Sequence, residues 1–235
     1  MNTERLDKYI ASRSACSRRD VKSMLRGGRI RVNGNTVRDS AFPVSDSDTV
    51  EIDGAAFSAP AHVYLMLNKP KGVVSASEDG RDKTVVDLIP EMYRRDGLFP
   101  AGRLDKDTTG FVLVTDDGGF AHRILSPKNH VDKTYLVTLR DDAAETYAEA
   151  FQTGISLADG TSCLPAKLTY TDDPRIVRVC LHEGRYHQIK RMFASLGNAV
   201  AELHRESVGG VRLDDTLLPG ECRPLTDAEM RQLNA

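Results

Sequence analysis

The 235-residue chain contains no tryptophan and only four cysteines, and no apolar run approaches the roughly eighteen residues of a membrane span. Its N-terminus lacks the apolar stretch of a secretory signal, so the chain is expected in the cytoplasm and away from membranes. Cys16, Cys163, Cys180 and Cys222 are scattered, without a Cys-x-x-Cys pair or histidines at zinc-finger spacing. That argues against a structural metal and implies no disulfides. No phosphate-cradling glycine loop or dinucleotide fingerprint occurs, and no cofactor is expected.

What is present suits a globular protein of more than one domain: 40% of the residues are hydrophobic, over a length that supports a sizeable core. The net charge of −2 conceals an asymmetry. Residues 1–38 hold ten Lys/Arg against three Asp/Glu, leaving 22 against 31 for the remainder. A basic N-terminal module facing a polyanion follows, most commonly a nucleic acid.

Within that module Leu6, Tyr9 and Ile10 have helical spacing. A second helix is announced by Ser17 as N-cap with Asp20 three residues on, and ends at Gly27-Gly28. Val21, Met24 and Leu25 share one arc of it, and Arg18, Arg19, Lys22 and Arg26 the neighbouring arc. Arg29 and Arg31 follow on a strand over 29–32, Asn33-Gly34 signals a tight hairpin, and a further strand over 50–52 closes the module. A charge run usually just solvates a helix face; here the strand arginines join the helical ones, which favours nucleic-acid contact. The motifs Arg5-Leu6-Asp7-Lys8-Tyr9, Ser17-Arg18-Arg19 and 27–34 resemble the S4 RNA-binding domain. The resemblance implies a small helix-plus-strand fold that grips RNA by shape and phosphate contacts.

Residues 54–61 are small and weakly patterned, which suits a tether. The reading places an S4 domain at 1–58, a linker at 59–61 and a larger domain at 62–235. In that domain a buried strand over 63–67 breaks at a turn, Asn68-Lys69-Pro70-Lys71-Gly72, and resumes at Val73-Val74. Its two lysines either contact phosphate or simply face solvent. A short helix is expected over 84–89, a polar connection over 91–99 and a helical turn over 120–125. Strands are expected at 111–115, 133–139, 167–171, 175–181 and in the region 202–213. A helix should run from Asp141/Asp142 through Phe151, and Thr226-x-x-Glu229 should open a final one. The helix over 187–196 places Ile189, Met192, Phe193 and Leu196 toward the core, with Lys190 and Arg191 beside that seam. The fold class is α+β, with a mixed, largely antiparallel sheet in the larger domain.

The loop Gly102-Arg103-Leu104-Asp105-Lys106-Asp107-Thr108-Thr109-Gly110 concentrates carboxylates, cations and hydroxyls before an apolar strand. Taken alone it is a polar turn, and several chemistries fit it. Asp105-x-Asp107-x-Thr109 fits a magnesium-dependent phosphatase, with Asp105 as nucleophile, Asp107 as acid/base and Asp116/Asp117 on the metal. Asp105 with Asp107 also fits a glycosidase pair, although no tryptophan is available for sugar stacking. A non-enzymatic, rRNA-binding assembly factor would use the basic module but leave the larger domain without a task.

Three motifs in order carry a broader resemblance. Gly102-Arg103-Leu104-Asp105-x-x-Thr108-x-Gly110 with Leu113-x-Thr115-x-Asp117-Gly118, Lys133-Thr134-Tyr135, and Glu183-Gly184-Arg185-Tyr186-His187-Gln188-Ile189-Lys190-Arg191 resemble the pseudouridine synthases. With the S4 module, the likeness is nearest the RsuA branch, which modifies 16S ribosomal RNA. It implies isomerisation of one uridine, conventionally number 516, on small-subunit rRNA in a pre-ribosomal particle, by a monomer; related branches act on large-subunit RNA. It further implies Asp105 as the catalytic carboxylate, Lys190 as its counter-charge with Arg191 as fallback, and Tyr135 stacked on the uracil. Arg103 would fill the space left by the flipped base or hold phosphates, and Arg103, Arg185, Lys190, Arg191 and Arg205 would line an RNA cleft. His187 and Gln188 would position backbone or RNA, since they form no recognised metal-ligand set with His182 or His204.

Overall fold

The computed structural model describes residues 3–14, 16–45, 47–57, 62–126, 129 and 131–233. It divides into two compact units, Met1–Val63 with Ile89–Leu98, and Tyr64–Leu88 with Phe99–Ala235.

The first unit runs β1 (Glu4–Arg5), α1 (Leu6–Ala11), α2 (Arg18–Arg26), β2 (Ile30–Val32), β3 (Asn35–Thr36), β4 (Pro43–Val44), β5 (Val50–Ile52) and β6 (Ala55–Phe57). The predicted capping box starts α2: Ser17 accepts from the Asp20 N–H, and the Asp20 side chain accepts from the Ser17 N–H. Val21 and Leu25 bury the apolar arc against Leu6, Ile10, Ile30 and Val50. Asn33 and Gly34 both have positive φ, 52° and 78°, as the tight β2–β3 hairpin requires. The weakly patterned stretch after Ile52 is not all tether, because Ala55–Phe57 pairs with β5 across an Asp53-Gly54 turn of the same kind. The linker assigned to 59–61 lies outside the described residues. The polar connection expected over 91–99 carries a 3₁₀ turn at Glu91–Tyr93, and Ile89–Leu98 belongs to this unit.

The second unit contains β7 (Tyr64–Lys69), β8 (Phe99–Ala101), β9 (Thr109–Thr115), α3 (Gly118–Leu125), β10 (Lys133–Leu139), α4 (Tyr147–Thr153), β11 (Lys167–Tyr170), β12 (Ile176–Leu181), α5 (Gln188–Ser195), β13 (Val200–Val208), β14 (Val211–Arg212), β15 (Cys222–Pro224) and α6 (Asp227–Leu233). The main sheet has the order β11-β12-β10-β13-β9-β7-β15, with β8 beside β9 and β14 beside β13. Pairing is antiparallel except where β13 meets β9, at His204↔Thr109 and Arg205↔Gly110. That approach needs a glycine: a Cβ on Gly110, whose φ is +102°, would lie 2.4 Å from the Arg205 carbonyl oxygen. Gly110 is therefore a packing residue inside a strand.

Two expectations about this unit are corrected. The turn at Asn68-Lys69 is the end of a strand, since Asn68 and Lys69 pair with Phe111 and Gly110. The helix expected from Asp141 begins only at Tyr147. Asn198 accepts from the Asp141 N–H and donates to its carbonyl, and the Ala143 N–H donates to the Pro174 carbonyl, so these backbone groups are claimed by distant connecting segments. The α5 seam is as expected at Ile189, Met192 and Phe193, which are buried, whereas Leu196, just past the helix end, is half-buried; the Phe193 ring packs on Tyr147 and Phe151 of α4 with centroids 5.7 and 5.0 Å away. Among the described residues no helix is long and apolar enough to cross a membrane.

Candidate active site

The loop at 102–108 leaves β8 and enters β9, and it is clamped from below by the segment that follows β7. Ser75 Oγ donates to the Leu104 carbonyl and accepts from the Leu104 N–H, both at 3.0 Å. The Gly72 N–H donates to the Lys106 carbonyl at 2.7 Å, and the Thr108 N–H to the Asp105 carbonyl at 3.1 Å. Underneath, the fully buried Lys69 sends Nζ to the carbonyls of Thr108 (2.7 Å), Pro70 (3.1 Å) and Lys106 (3.4 Å). Burial pushes the Lys69 pKa down to about 8, against the attraction of Asp107 and Asp105. This lysine was expected to be an exposed turn residue. Its strand alternation with Leu67 and Leu65 on the inward face was the available signal.

Asp105 is half-buried and faces the start of α5, where Lys190 Nζ lies 3.2 Å from Oδ2 and His187 Nε2 lies 3.4 Å from Oδ1. Lys190 also donates to Asp107 at 2.6 Å, so one ammonium bridges both loop carboxylates. Burial lowers the Lys190 pKa, but the hydrogen bonds to Asp107 and Asp105 outweigh it and the net shift is upward. The hydrogen bond from Lys190 likewise holds the Asp107 carboxyl below the usual range. Arg191, the fallback partner for Asp105, is bonded instead to Asp159.

The turn before α5 is knitted by Gln188, which donates to Glu183 at 2.7 Å and accepts from the Arg185 N–H at 3.0 Å. His187 takes a left-handed φ of +48° there, which a side chain adopts only when its surroundings impose it. Gln188 thus positions backbone, whereas His187 stands beside Asp105, a neighbour that spacing alone did not reveal.

Asp105, Arg103, His187 and Ile189 share a pocket with Tyr135 of β10 and Leu181 of β12. The Tyr135 ring is largely buried and forms one wall. Arg205 does not line this pocket toward RNA. It is 2% exposed, its Nε donates to the Phe111 carbonyl at 2.7 Å, and its Nη1 lies 3.5 Å from the Tyr135 hydroxyl. The inward side of β13 alternation carries it behind Tyr135, which corrects its expected RNA contact.

The other expected cations divide by whether they are already engaged. Arg185 pairs with Glu183, Arg18 with the buried Asp7, and Arg29 with Asp53. Among the described residues Arg103, Arg19, Lys22, Arg26 and Arg31 are exposed and make no side-chain hydrogen bond or ion pair. No three His, Cys, Asp or Glu side chains among the described residues are grouped to hold a metal. Asp117, required on the metal in the phosphatase reading, caps α3 by accepting from the Phe120 N–H at 2.9 Å and takes the Tyr64 hydroxyl at 2.8 Å.

This geometry can be set beside known proteins. Residues 63–195 match the RNA pseudouridylate synthase family, and residues 4–50 match the S4 domain. The chain belongs to the RNA pseudouridylate synthases. It is 46% identical to the ribosomal small subunit pseudouridine synthase A of Escherichia coli, over 96% of this chain and 98% of that protein. An uncharacterized RNA pseudouridine synthase of Bacillus subtilis is 42% identical, covering 98% of each chain. Among solved structures, a pseudouridylate synthase crystal structure superposes with a TM-score of 0.69 and 42% identity, over 98% of this chain and 99% of that one. This synthase therefore combines an S4 domain with a domain built on a mostly antiparallel sheet, as the motifs implied.

Proposed function

We propose that this synthase isomerises one uridine of small-subunit ribosomal RNA, uridine 516 of 16S rRNA, with Asp105 as the catalytic carboxylate. The substrate class rests on the small-subunit synthase it is similar to over nearly its whole length and on the S4 domain. The observation that carries the site assignment is the Asp105–Lys190 pair at 3.2 Å, opening onto a pocket walled by Tyr135.

Isomerisation breaks the N-glycosidic bond, turns the uracil within the pocket and rejoins it through C5, with no net gain or loss of atoms. Asp105 acts on the sugar or the ring, and Lys190, protonated throughout the neutral range, supplies the counter-charge in a partly desolvated setting. Tyr135 stacks on the extruded uracil. Arg103, exposed and unengaged at the rim, fills the gap left in the RNA or holds its phosphates. Arg185 and Arg191, at the same end of α5, keep carboxylate partners that RNA phosphates would have to replace. The S4 domain, assigned to 1–58 and joined by 59–61 to the catalytic domain at 62–235, docks the RNA. The enzyme works as a monomer on a pre-ribosomal particle.

The test is a pseudouridine map of 16S rRNA from cells lacking the gene, with wild-type or Asp105→Asn protein supplied back. Loss of one small-subunit pseudouridine, restored by wild type alone, is expected. An unchanged map would remove the substrate, and rescue by the Asn variant would remove Asp105 from the chemistry.

A further inference from the structure

Tyr186 is 73% exposed, far more than any other tyrosine or phenylalanine among the described residues, where Tyr170 at 40% and Phe42 at 37% come next. A ring left in water forgoes the gain of burying its apolar surface, and this one is nevertheless held in place. It stacks on the His187 imidazole with centroids 3.8 Å apart and planes 17° from parallel. His187 in turn occupies its left-handed conformation with Nε2 3.4 Å from Asp105. The order from inside outward is therefore carboxylate, imidazole, phenol ring, solvent. One face of the Tyr186 ring is covered, and Tyr186 lies in the chain between Arg185 and His187, which both line the uridine pocket together with the unengaged Arg103.

We propose that Tyr186 is a stacking platform for the base of the nucleotide adjacent to the target uridine in the substrate RNA. The inference rests on the reading of Asp105 as the centre of a uridine-isomerising site. Extruding a uridine breaks its neighbours' stacking, and an immobilised ring beside the pocket offers a replacement without the loss of side-chain freedom that a mobile ring would suffer. The surrounding guanidinium groups suit the phosphates that join the two nucleotides. Base–aromatic stacking is worth about tenfold to a hundredfold in binding per base. The effect falls on substrate affinity, because the platform touches no reacting atom.

The experiment uses the full-length protein and 16S rRNA assembled with small-subunit ribosomal proteins into a precursor particle, with 2-aminopurine placed in turn at each nucleotide flanking the target. Bound to the Asp105→Asn protein, one of the two positions should lose fluorescence through stacking, and adding Tyr186→Ala should restore it. In turnover, Tyr186→Ala should raise KM about tenfold with kcat held within about threefold, whereas Tyr186→Phe should match wild type. An abasic residue at the quenched position should weaken wild type by a similar factor and leave Tyr186→Ala no worse. Wild-type KM in Tyr186→Ala, equal quenching with and without the ring, or losses that multiply would each overturn the proposal. Wild-type protein that forms no pseudouridine in this RNA while Tyr186-dependent quenching persists would overturn the substrate reading instead.

Discussion

Lys69 Nζ donates to the Thr108 carbonyl at 2.7 Å from inside the sheet, so a buried ammonium supports the loop that carries Asp105. Lys69→Met would leave the Thr108 and Pro70 carbonyls without this donor and let the loop shift. Pseudouridine formation should fall roughly a hundredfold, the usual consequence of misplacing a reacting group by about 1 Å. The pH dependence has a definite sign. The Lys69 pKa is about 8 in the folded chain against an ordinary 10.5, so between those values the unfolded chain binds a proton that the folded chain does not. Stability of wild type relative to Lys69→Met should therefore be flat below about pH 8 and rise by up to about 1.4 kcal/mol per pH unit above it. Urea unfolding of both proteins from pH 7 to pH 10 measures this.

Lys190 bridges Asp105 and Asp107, but its two carboxylates are not equivalent, because only Asp105 opens onto the Tyr135 pocket. Lys190→Met should lower kcat/KM about a hundredfold, or about 2.7 kcal/mol. Asp107→Asn, which leaves the Asp105–Lys190 pair intact, should cost less than about tenfold, and combining the two should add nothing to Lys190→Met. The raised Lys190 pKa also means that activity should not decline near neutrality through loss of its proton. Single-turnover rates on 16S rRNA assembled into a precursor particle decide the matter.

Arg205 and Arg103 should separate stability from RNA contact. Arg205→Met removes a buried donor to the Phe111 carbonyl and should destabilise by about 2–3 kcal/mol. Arg103→Met, at an exposed and unengaged position, should leave stability within about 0.5 kcal/mol while weakening RNA turnover. Thermal unfolding alongside turnover would show the two effects exchanged if Arg205 faced the RNA.

In the S4 domain the free cations should bear the RNA contact, and those engaged with Asp7 should bear the fold. Arg19, Lys22 and Arg26 changed together to Ala should weaken RNA binding and reduce the slope of log affinity on log salt by roughly 2. Asp7 accepts from both Arg5 and Arg18 at 3.1 Å, and the Arg5 hydrogen bond leads in holding its pKa at about 2 against burial. A carboxyl depressed in this way contributes stability that is present above its ordinary 3.8 and lost as pH falls through about 2. Asp7→Asn should therefore destabilise by about 1–2 kcal/mol at neutral pH, and its difference from wild type should vanish in acid titration of the unfolding transition.

Much of the architecture was legible because local rules and tertiary packing agree. The 133–139 strand alternates because one face is buried; α2 starts where its capping box sits, and Ile189, Met192 and Phe193 mark the core face of α5. The helix begun too early at Asp141 failed because Asn198, more than fifty residues away, captures the backbone there. No local pattern records such a partner.

The sequence by itself determined that a basic S4 module precedes a pseudouridine synthase domain, and its resemblance to that family singled out Asp105, Tyr135 and Lys190 as the residues to examine. Motif order and spacing are one-dimensional and survive without coordinates. Only the tertiary structure decided which charges are available: Lys69 read as an exposed turn cation and Arg205 as lining the RNA cleft, but strand alternation turns both inward to satisfy backbone carbonyls, while Arg103 stays free at the rim. Burial and pairing are set by what the sheet brings together from distant segments, and these fix whether a cation supports the loop, supports a ring or meets the RNA.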